Sequence, residues 1–357
     1  MILSLAFLAL SFQSKWQAGL GFFQPVQIQG VAYSKDTGVY AANFKDGHIV
    51  HLDVDGRLLR KFGQPGQGPG DLDRPWRLFF DQTKLYVVDA AAISVFAGDG
   101  TFLERVRIPS HEDQYFKVQE GWVRLPRTSF ASEWVQMERL DNALEPEGEL
   151  LSLKGGEKYQ NRYRKILNPA EDTFHVAVTR DGRTLFACGA GDHEIQVLGS
   201  RGEALSRIHQ PFEPISFNRA WGEAAYKRQV EAIAKNLRIY GFQGRKPEYE
   251  MRFPNFFPMV KQLLTDSRGN LVVVGWSESP EESEPVKCFR RDGGEIPAPF
   301  SAAAYRRLIG MDGDVVFLTA FEDGEAAIAC IQKQHVDGYV REHPIEFDYQ
   351  AAVFGRR

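Results

Sequence analysis

Val39–Gly63 reads VYAANFKDGHIVHLDVDGRLLRKFG, and Leu85–Pro109 reads LYVVDAAAISVFAGDGTFLERVRIP. The two stretches share one plan: an apolar strand, a polar loop, a second strand, a short turn ending in glycine, and a third strand. Thr184–His209, TLFACGAGDHEIQVLGSRGEALSRIH, follows the same plan. The turns are Asp55-Gly56, Asp99-Gly100 and Arg201-Gly202, where glycine supplies the positive φ that hairpin turns need. Weaker copies occupy Trp122–Leu153, Leu271–Phe300 and Val315–Phe347.

One more apolar strand precedes each copy, at Val26–Tyr33, Arg77–Asp81, Tyr115–Val118, Phe174–Thr179, Val260–Thr265 and Tyr305–Gly310. Four antiparallel strands per unit, in six units, predict an all-β fold: a six-bladed β-propeller. Such units cannot bury both faces alone, so they stack around an axis and leave only short protected edges. A pair of β-sandwiches would not produce a regular four-strand period.

The composition agrees. The 357 residues include 43 Lys+Arg and 47 Asp+Glu, a formal net charge of −4, with 43% apolar and 25% charged residues. These values describe a globular chain and exclude a disordered or polytopic membrane one. The near balance of charge removes the electrostatic case for nucleic acid. An abundance of 26 Phe, 12 Tyr and 6 Trp beside 33 Gly suits short strands joined by tight turns.

The segment Phe62-Gly63-Gln64-Pro65-Gly66-Gln67-Gly68-Pro69-Gly70-Asp71-Leu72-Asp73-Arg74-Pro75 resembles the FGxxGxGPGxLxxP linker of NHL-repeat six-bladed propellers. The following LYVVDAAAISVFAGDGTFL is similar to the same family's core pattern, with a strand ending in Asp89 and then an Ile-x-Val-Phe strand. The resemblance is strong over Val39–Pro109, recognisable over Phe174–His209 and faint elsewhere; the later units lack the family's Asp-Asn-x-Arg loop. It implies a propeller. It also implies an alternative activity, because some NHL-like propellers are lyases or lactone hydrolases that hold a divalent cation, calcium or zinc, on the central axis.

Ile2–Leu10, ILSLAFLAL, is too short to span a bilayer as a helix but suits the apolar core of a signal peptide, with Ala9-Leu10-Ser11 as a small-x-small cleavage site. Residues 1–14 are therefore expected to be a signal peptide and 15–357 the propeller, in the periplasm or outside the cell. No Lys or Arg precedes the apolar run, so a cytoplasmic chain with a buried N-terminal strand is the alternative. A strand near Phe22–Pro25, or one near Val340–Phe347, is expected to complete a blade shared between the chain ends. Cys188, Cys288 and Cys330 lie in apolar strand-like stretches without CxxC spacing and read as buried thiols, with one disulfide as the alternative.

Two segments break the rhythm and are expected to be helical insertions. Residues 157–168 place Tyr159 and Tyr163 four apart before Asn168-Pro169. In 218–241, Asn218 can cap a helix whose Val230, Ile233, Ala234 and Leu237 form an apolar stripe, with Gly241 as its stop. The second is expected to cover one face of the propeller.

Motifs of catalysis are missing: HExxH, GxSxG, a P-loop and a strand-linked GxGxxG are all absent. Asp53-Val54-Asp55-Gly56 lacks the further ligands of a calcium loop and reads as a hairpin turn. The loops expected at one mouth of the central channel carry Lys45, Asp46 and His48, then Asp192 and His193, then Trp276; the linkers into the inner strands add Trp76, Arg77 and Lys261. Aromatic and charged groups together suit a polar ligand with an apolar part: a peptide, a glycan, a small metabolite or another protein. The expectation is a monomeric binding, sensor or scaffold module with no cofactor and no membrane span, favoured over the metal-dependent lyase or lactone hydrolase, which stays open as the alternative.

Overall fold

The computed structural model describes residues 14–22, 28–34, 36–81, 83–110, 113–126, 134–154, 159–161, 164–167, 174–189, 192–239, 248–251, 253–277, 284–298, 302–303, 308–312, 315–322 and 325–332. The chain opens with strand β1 (Ser14–Phe22). The first repeat folds as β2 (Ile28–Ser34), β3 (Gly38–Asn43), β4 (His48–Leu52) and β5 (Leu58–Phe62). The second gives β6 (Arg77–Asp81), β7 (Lys84–Val88), β8 (Ala92–Ala97) and β9 (Phe102–Arg107). Then come β10 (Gln114–Val118), β11 (Gly121–Leu125), β12 (Trp134–Leu140) and β13 (Pro146–Lys154).

Two short strands follow, β14 (Tyr159–Asn161) and β15 (Arg164–Leu167). The next sheet is β16 (His175–Val178), β17 (Thr184–Cys188), β18 (Glu194–Gly199) and β19 (Ala204–His209). Helix α1 (Arg219–Ile239) and β20 (Glu248–Met251) separate it from β21 (Gln262–Thr265), β22 (Leu271–Val274), β23 (Glu284–Phe289), β24 (Glu295–Ile296) and β25 (Ala302–Ala303). Last are β26 (Leu308–Asp312), β27 (Val315–Glu322) and β28 (Glu325–Gln332).

The molecule is a β-propeller of four-stranded antiparallel blades. Each meanders outward from its first strand: β2 to β5, β6 to β9, β10 to β13 and β16 to β19. The terminal blade has the order β1-β28-β27-β26, so the N-terminal strand supplies its outer edge. Of the two strands expected to close the ring, the N-terminal one does so, as β1, which ends at Phe22; Val340–Phe347 and the apolar run Ile2–Leu10 lie outside the described residues.

The expectation of six equal four-stranded units is met by five. In the remaining stretch β21-β22-β23-β24 keeps the order, but β24 has two residues and β25 pairs with the other end of β23, making a five-stranded sheet. The cause is visible in Ile296-Pro297-Ala298-Pro299: a proline has no N–H for the ladder, so the outer strand is broken in two. The innermost strands stand side by side, β26 by β2, β2 by β6, β10 by β16, β16 by β21 and β21 by β26. A hydrogen bond from Arg77 to Gln114 (3.1 Å) ties β6 to β10.

Burial lies between blades. Tyr40, Ile49, Leu78, Phe80 and Leu85 form one seam, and Phe186, Val197, Leu263 and Val273 another. The strands that face a neighbour on both sides are therefore apolar almost throughout, as in β3, where all six residues are buried. The outer strands are largely exposed and carry a recurrent one-residue bulge. It leaves Leu59, Leu103 and Leu205 without a cross-strand partner and about half exposed. At Gly56, Gly100 and Gly202 φ is 80°, 85° and 88°, as the turns require. Asp53 closes its turn by accepting from the Asp55 and Arg57 N–H groups (2.9 and 2.8 Å), which is the hairpin role expected of it.

The helix expected at 157–168 is not formed. β14 and β15 occupy that segment, and β15 runs parallel to β20, with Arg164 opposite Glu248 and Leu167 opposite Met251. A strand from the other insertion satisfies the backbone there, and this overrides the local tyrosine spacing. The second insertion does contain the expected helix. Asn218 caps it, its Oδ1 accepting from Trp221 N at 3.0 Å. Its first turns bury Gly222 and Ala225. The three cysteines are buried.

Candidate functional site

The cleft of interest lies where the chain leaves the β16–β19 blade and enters the β21–β25 sheet. At the end of β19 Gln210 takes a φ of 38°, and Phe212–Phe217 then runs as an irregular segment toward the Asn218 cap. After α1 and β20 the chain returns antiparallel to it. Phe217 N donates to Asn255 O (3.0 Å) and Phe257 N to Ile215 O (2.9 Å), with a β-bridge between Ser216 and Phe256. Lys261 N then donates to Val274 O (2.8 Å) at the end of β22, anchoring this clasp to the β21–β25 sheet.

Between the clasp and the blade loops is an open cleft lined by His193, Phe212, Glu213, Pro214, Ile215, Phe256, Phe257, Pro258, Met259 and Trp276. Its wall is aromatic. Trp276 stacks on Phe257 with centroids 4.8 Å apart and planes 15° from parallel, and Trp221 meets both edge-on at 5.7 and 5.5 Å. Phe217 packs on Phe257 at 4.8 Å and on Phe253 at 5.2 Å. Two glycines permit this. A Cβ on Gly222 would lie 2.5 Å from Phe217, and one on Gly275 would lie 2.8 Å from the Phe212 ring. Phe256 is left 52% exposed at the rim, beside the helix.

Charge is distributed unevenly. The Lys261 ammonium is buried and sits 4.2 Å from the Trp276 ring centroid, a cation–π contact. Lys287 lies 5.7 Å from the Phe212 ring and 3.5 Å from Glu295. His193 and Glu213 are exposed at the rim. Among the described residues, the indole N–H groups of Trp221 and Trp276 are buried without an acceptor.

Of the residues singled out from the sequence, His193, Trp276 and Lys261 come together here, the first two lining the cleft and the third backing it. The others are elsewhere. Asn43 Oδ1 accepts from Lys45 N (3.1 Å) and Asp46 N (3.0 Å), and its Nδ2 donates to Asp46 (2.8 Å), so these residues close the β3–β4 turn. Burial pulls the His48 imidazole below its ordinary value. Asp192 closes the corresponding β17–β18 loop by accepting from Gly189 N (3.2 Å); burial pushes its carboxyl up, opposed by that N–H. Arg77 lies between Trp76 and Phe116, 5.2 and 4.3 Å from their ring centroids, at the β6–β10 seam. Phe212, Ile215, Phe256, Pro258 and Met259 were not singled out. Their signal was present in two proline–aromatic runs, Pro211–Phe217 and Phe253–Pro258, that flank the helix.

No family model matches the chain, and no curated protein matches it. Solved structures do. A member of the duf4221 family from Bacteroides vulgatus aligns over 90% of this chain and 97% of its own at 10% identity and a TM-score of 0.50. A Bacteroides fragilis protein inferred to be exported aligns over 85% and 89% at 12% identity, TM-score 0.48. Regucalcin from Agrobacterium tumefaciens, a calcium-binding protein, aligns over 88% and 95% at 10% identity, TM-score 0.44. The likeness to the duf4221 member agrees with the sheet order and shows the fold alone: this chain is similar to β-propellers.

Proposed function

We propose that this protein is a recognition module, a propeller that binds a ligand with an apolar body beside the first turn of α1. Counting the β21–β25 sheet as a blade, the ring has six. The observation that carries the reading is the aromatic cleft itself, since a concave, largely apolar site with a few polar groups is where small ligands and peptide side chains bind. Its partners are a peptide, a glycan, a small metabolite or an exposed loop of another protein. The apolar run Ile2–Leu10 supports action in the periplasm or outside the cell. No helix among the described residues is long and apolar enough to cross a membrane.

The test is a thermal-shift screen of metabolites, peptides and glycans, with every hit repeated on Phe212→Ala and Phe256→Ala. Hits lost in both variants, with the fold retained, support the cleft; hits indifferent to both count against it. The axial-cation enzyme has less to rest on. Among the described residues no three His, Cys, Asp or Glu side chains could hold a metal ion, and Asp266, the carboxylate just after the innermost strand β21, spends its Oδ1 on the N–H groups of Arg268 and Asn270 in its own turn (2.9 and 2.8 Å). Close to one calcium or zinc per chain after chelator-free purification would restore that reading.

A further inference from the structure

We infer that the occupant of this cleft is a proline-rich segment of a partner protein, bound in the extended polyproline II form. The inference rests on the cleft being the recognition site and adds the chemistry of what enters it. Trp276 is 4% exposed and lines the cleft, yet its indole N–H has no acceptor among the described residues. The N–H of Trp221, whose ring packs edge-on against Trp276, has none either. A buried donor without a partner costs stability, and an occupant that brings a carbonyl recovers it. Acceptors are scarce at the same wall. The main-chain carbonyls of Asn255 and Ile215 already accept within the clasp, and the lining side chains that can accept, His193 and Glu213, are exposed at the rim.

An ordinary peptide laid along the inner wall would bury N–H groups of its own that nothing there satisfies. A run of prolines brings carbonyls without N–H groups, and its rings are apolar. The polyproline II helix is also ordered before it binds, so little entropy is lost. Such helices dock in grooves lined by aromatic side chains. Here Trp276 and Phe257, stacked at 4.8 Å, form the floor, and Phe212 and Phe256 stand beside them. Neither indole N–H is open to water in the unliganded chain, so the rim must yield as the peptide seats; the half-exposed Phe256 ring is placed to do so.

The test titrates three uncharged octapeptides, acetylated and amidated, into the full chain by calorimetry: all proline, all N-methylglycine, and alternating alanine and serine. The first has tertiary amides and rings, the second tertiary amides alone, the third neither. Affinity should fall in that order, with octaproline about tenfold tighter than the alanine–serine peptide. Trp276→Phe keeps an aromatic ring, removes the N–H, and should weaken octaproline by about threefold to tenfold. Because that variant could disturb the stacked wall, Trp221→Phe gives a second reading of the same kind. An alanine–serine peptide that binds as well as octaproline, octaproline binding unchanged in both tryptophan variants, or no binding by any of the three overturns the proline-rich occupant. The cleft stands apart from that result: metabolite or glycan hits lost in Phe212→Ala and Phe256→Ala keep it as the recognition site. Octaproline binding indifferent to Phe212→Ala and Phe256→Ala overturns both.

Discussion

Arg105 reaches back from the outer strand β9 to the fully buried Asp89, Nη2 to Oδ2 at 3.2 Å. The same carboxylate accepts from the N–H groups of Ala91 and Ala92 at 2.7 Å each and of Asp73 at 3.2 Å. Arg105 in turn donates to Asp71 O at 2.6 Å. One ion pair thus pins the glycine-rich linker 62–75 to the blade that follows it, which gives the Asp at the strand end a physical reason to be there.

Removing the cation alone should be expensive. Arg105→Met leaves a buried carboxylate with backbone donors only, and a loss of about 3 kcal/mol is expected, at the low end for a broken buried pair because three N–H groups remain. Adding Asp89→Asn should recover a good part of it by removing the orphan charge. Urea midpoints of the single and double variants decide; a single variant within about 1 kcal/mol of the parent would show the pair to be dispensable.

A buried imidazole makes stability depend on acidity. His51 stacks on Tyr40 (4.1 Å, 16°), and its Nε2 lies 2.6 Å from Thr37 O. Burial, with Arg60 adding, pulls its affinity for a proton below the ordinary 6.5. The unfolded chain then takes the proton first, so the stability is present above about pH 6.5 and is lost as pH falls below it. His51→Phe keeps the stack and cannot titrate. Its melting temperature should fall less than the parent's between about pH 7.5 and about pH 5.5, and equal falls would dismiss His51 as the cause.

Gly275 can be used to close the cleft from inside. Gly275→Ala places a methyl 2.8 Å from the Phe212 ring, and the ring must move. The expected cost is about 1–3 kcal/mol, as for other overpacked sites, together with a loss of ligand affinity that exceeds the fall in stability. A variant with parental melting and parental affinity would mean that Phe212 does not shape the site.

Deletion of residues 1–22 takes away β1 and leaves β28 as an open edge. The whole propeller, not one blade, should then melt earlier, and concentration-dependent aggregation should appear, since an exposed strand edge templates further pairing. Light scattering against concentration, beside the melting curve, is the measurement; a truncated chain that stays monomeric with an unchanged transition rules out this role for β1.

The fold was legible because it is written repeatedly. A glycine at the same place in each turn, and apolar segments of the right length between, mark the blades of β2–β9 and β16–β19 closely. It became harder to read where other forces decide. Nothing in the local pattern of Tyr159–Leu167 reveals that a strand from the second insertion will pair with it, so tertiary hydrogen bonding displaced a helical reading. The prolines at 297 and 299 were visible, yet their effect on the outer strand depends on where β23 lies. At the site, Trp276, His193 and Lys261 could be named from loop position alone. Asp46 and Asp192 could be named too, but the same position serves to close turns, and only geometry separates the two uses.

The pairing of β1 with β28 also orders events in time. β1 precedes every other strand of the ring in the chain, and its partner is complete only about 310 residues later. At roughly 5–20 residues per second that is an interval of roughly 15–60 s during which the earliest strand has no neighbour to complete. The ring is therefore a structure that no nascent portion can finish for itself. Its last joint waits for the length of everything between, and a long-range closure of this kind makes folding slow.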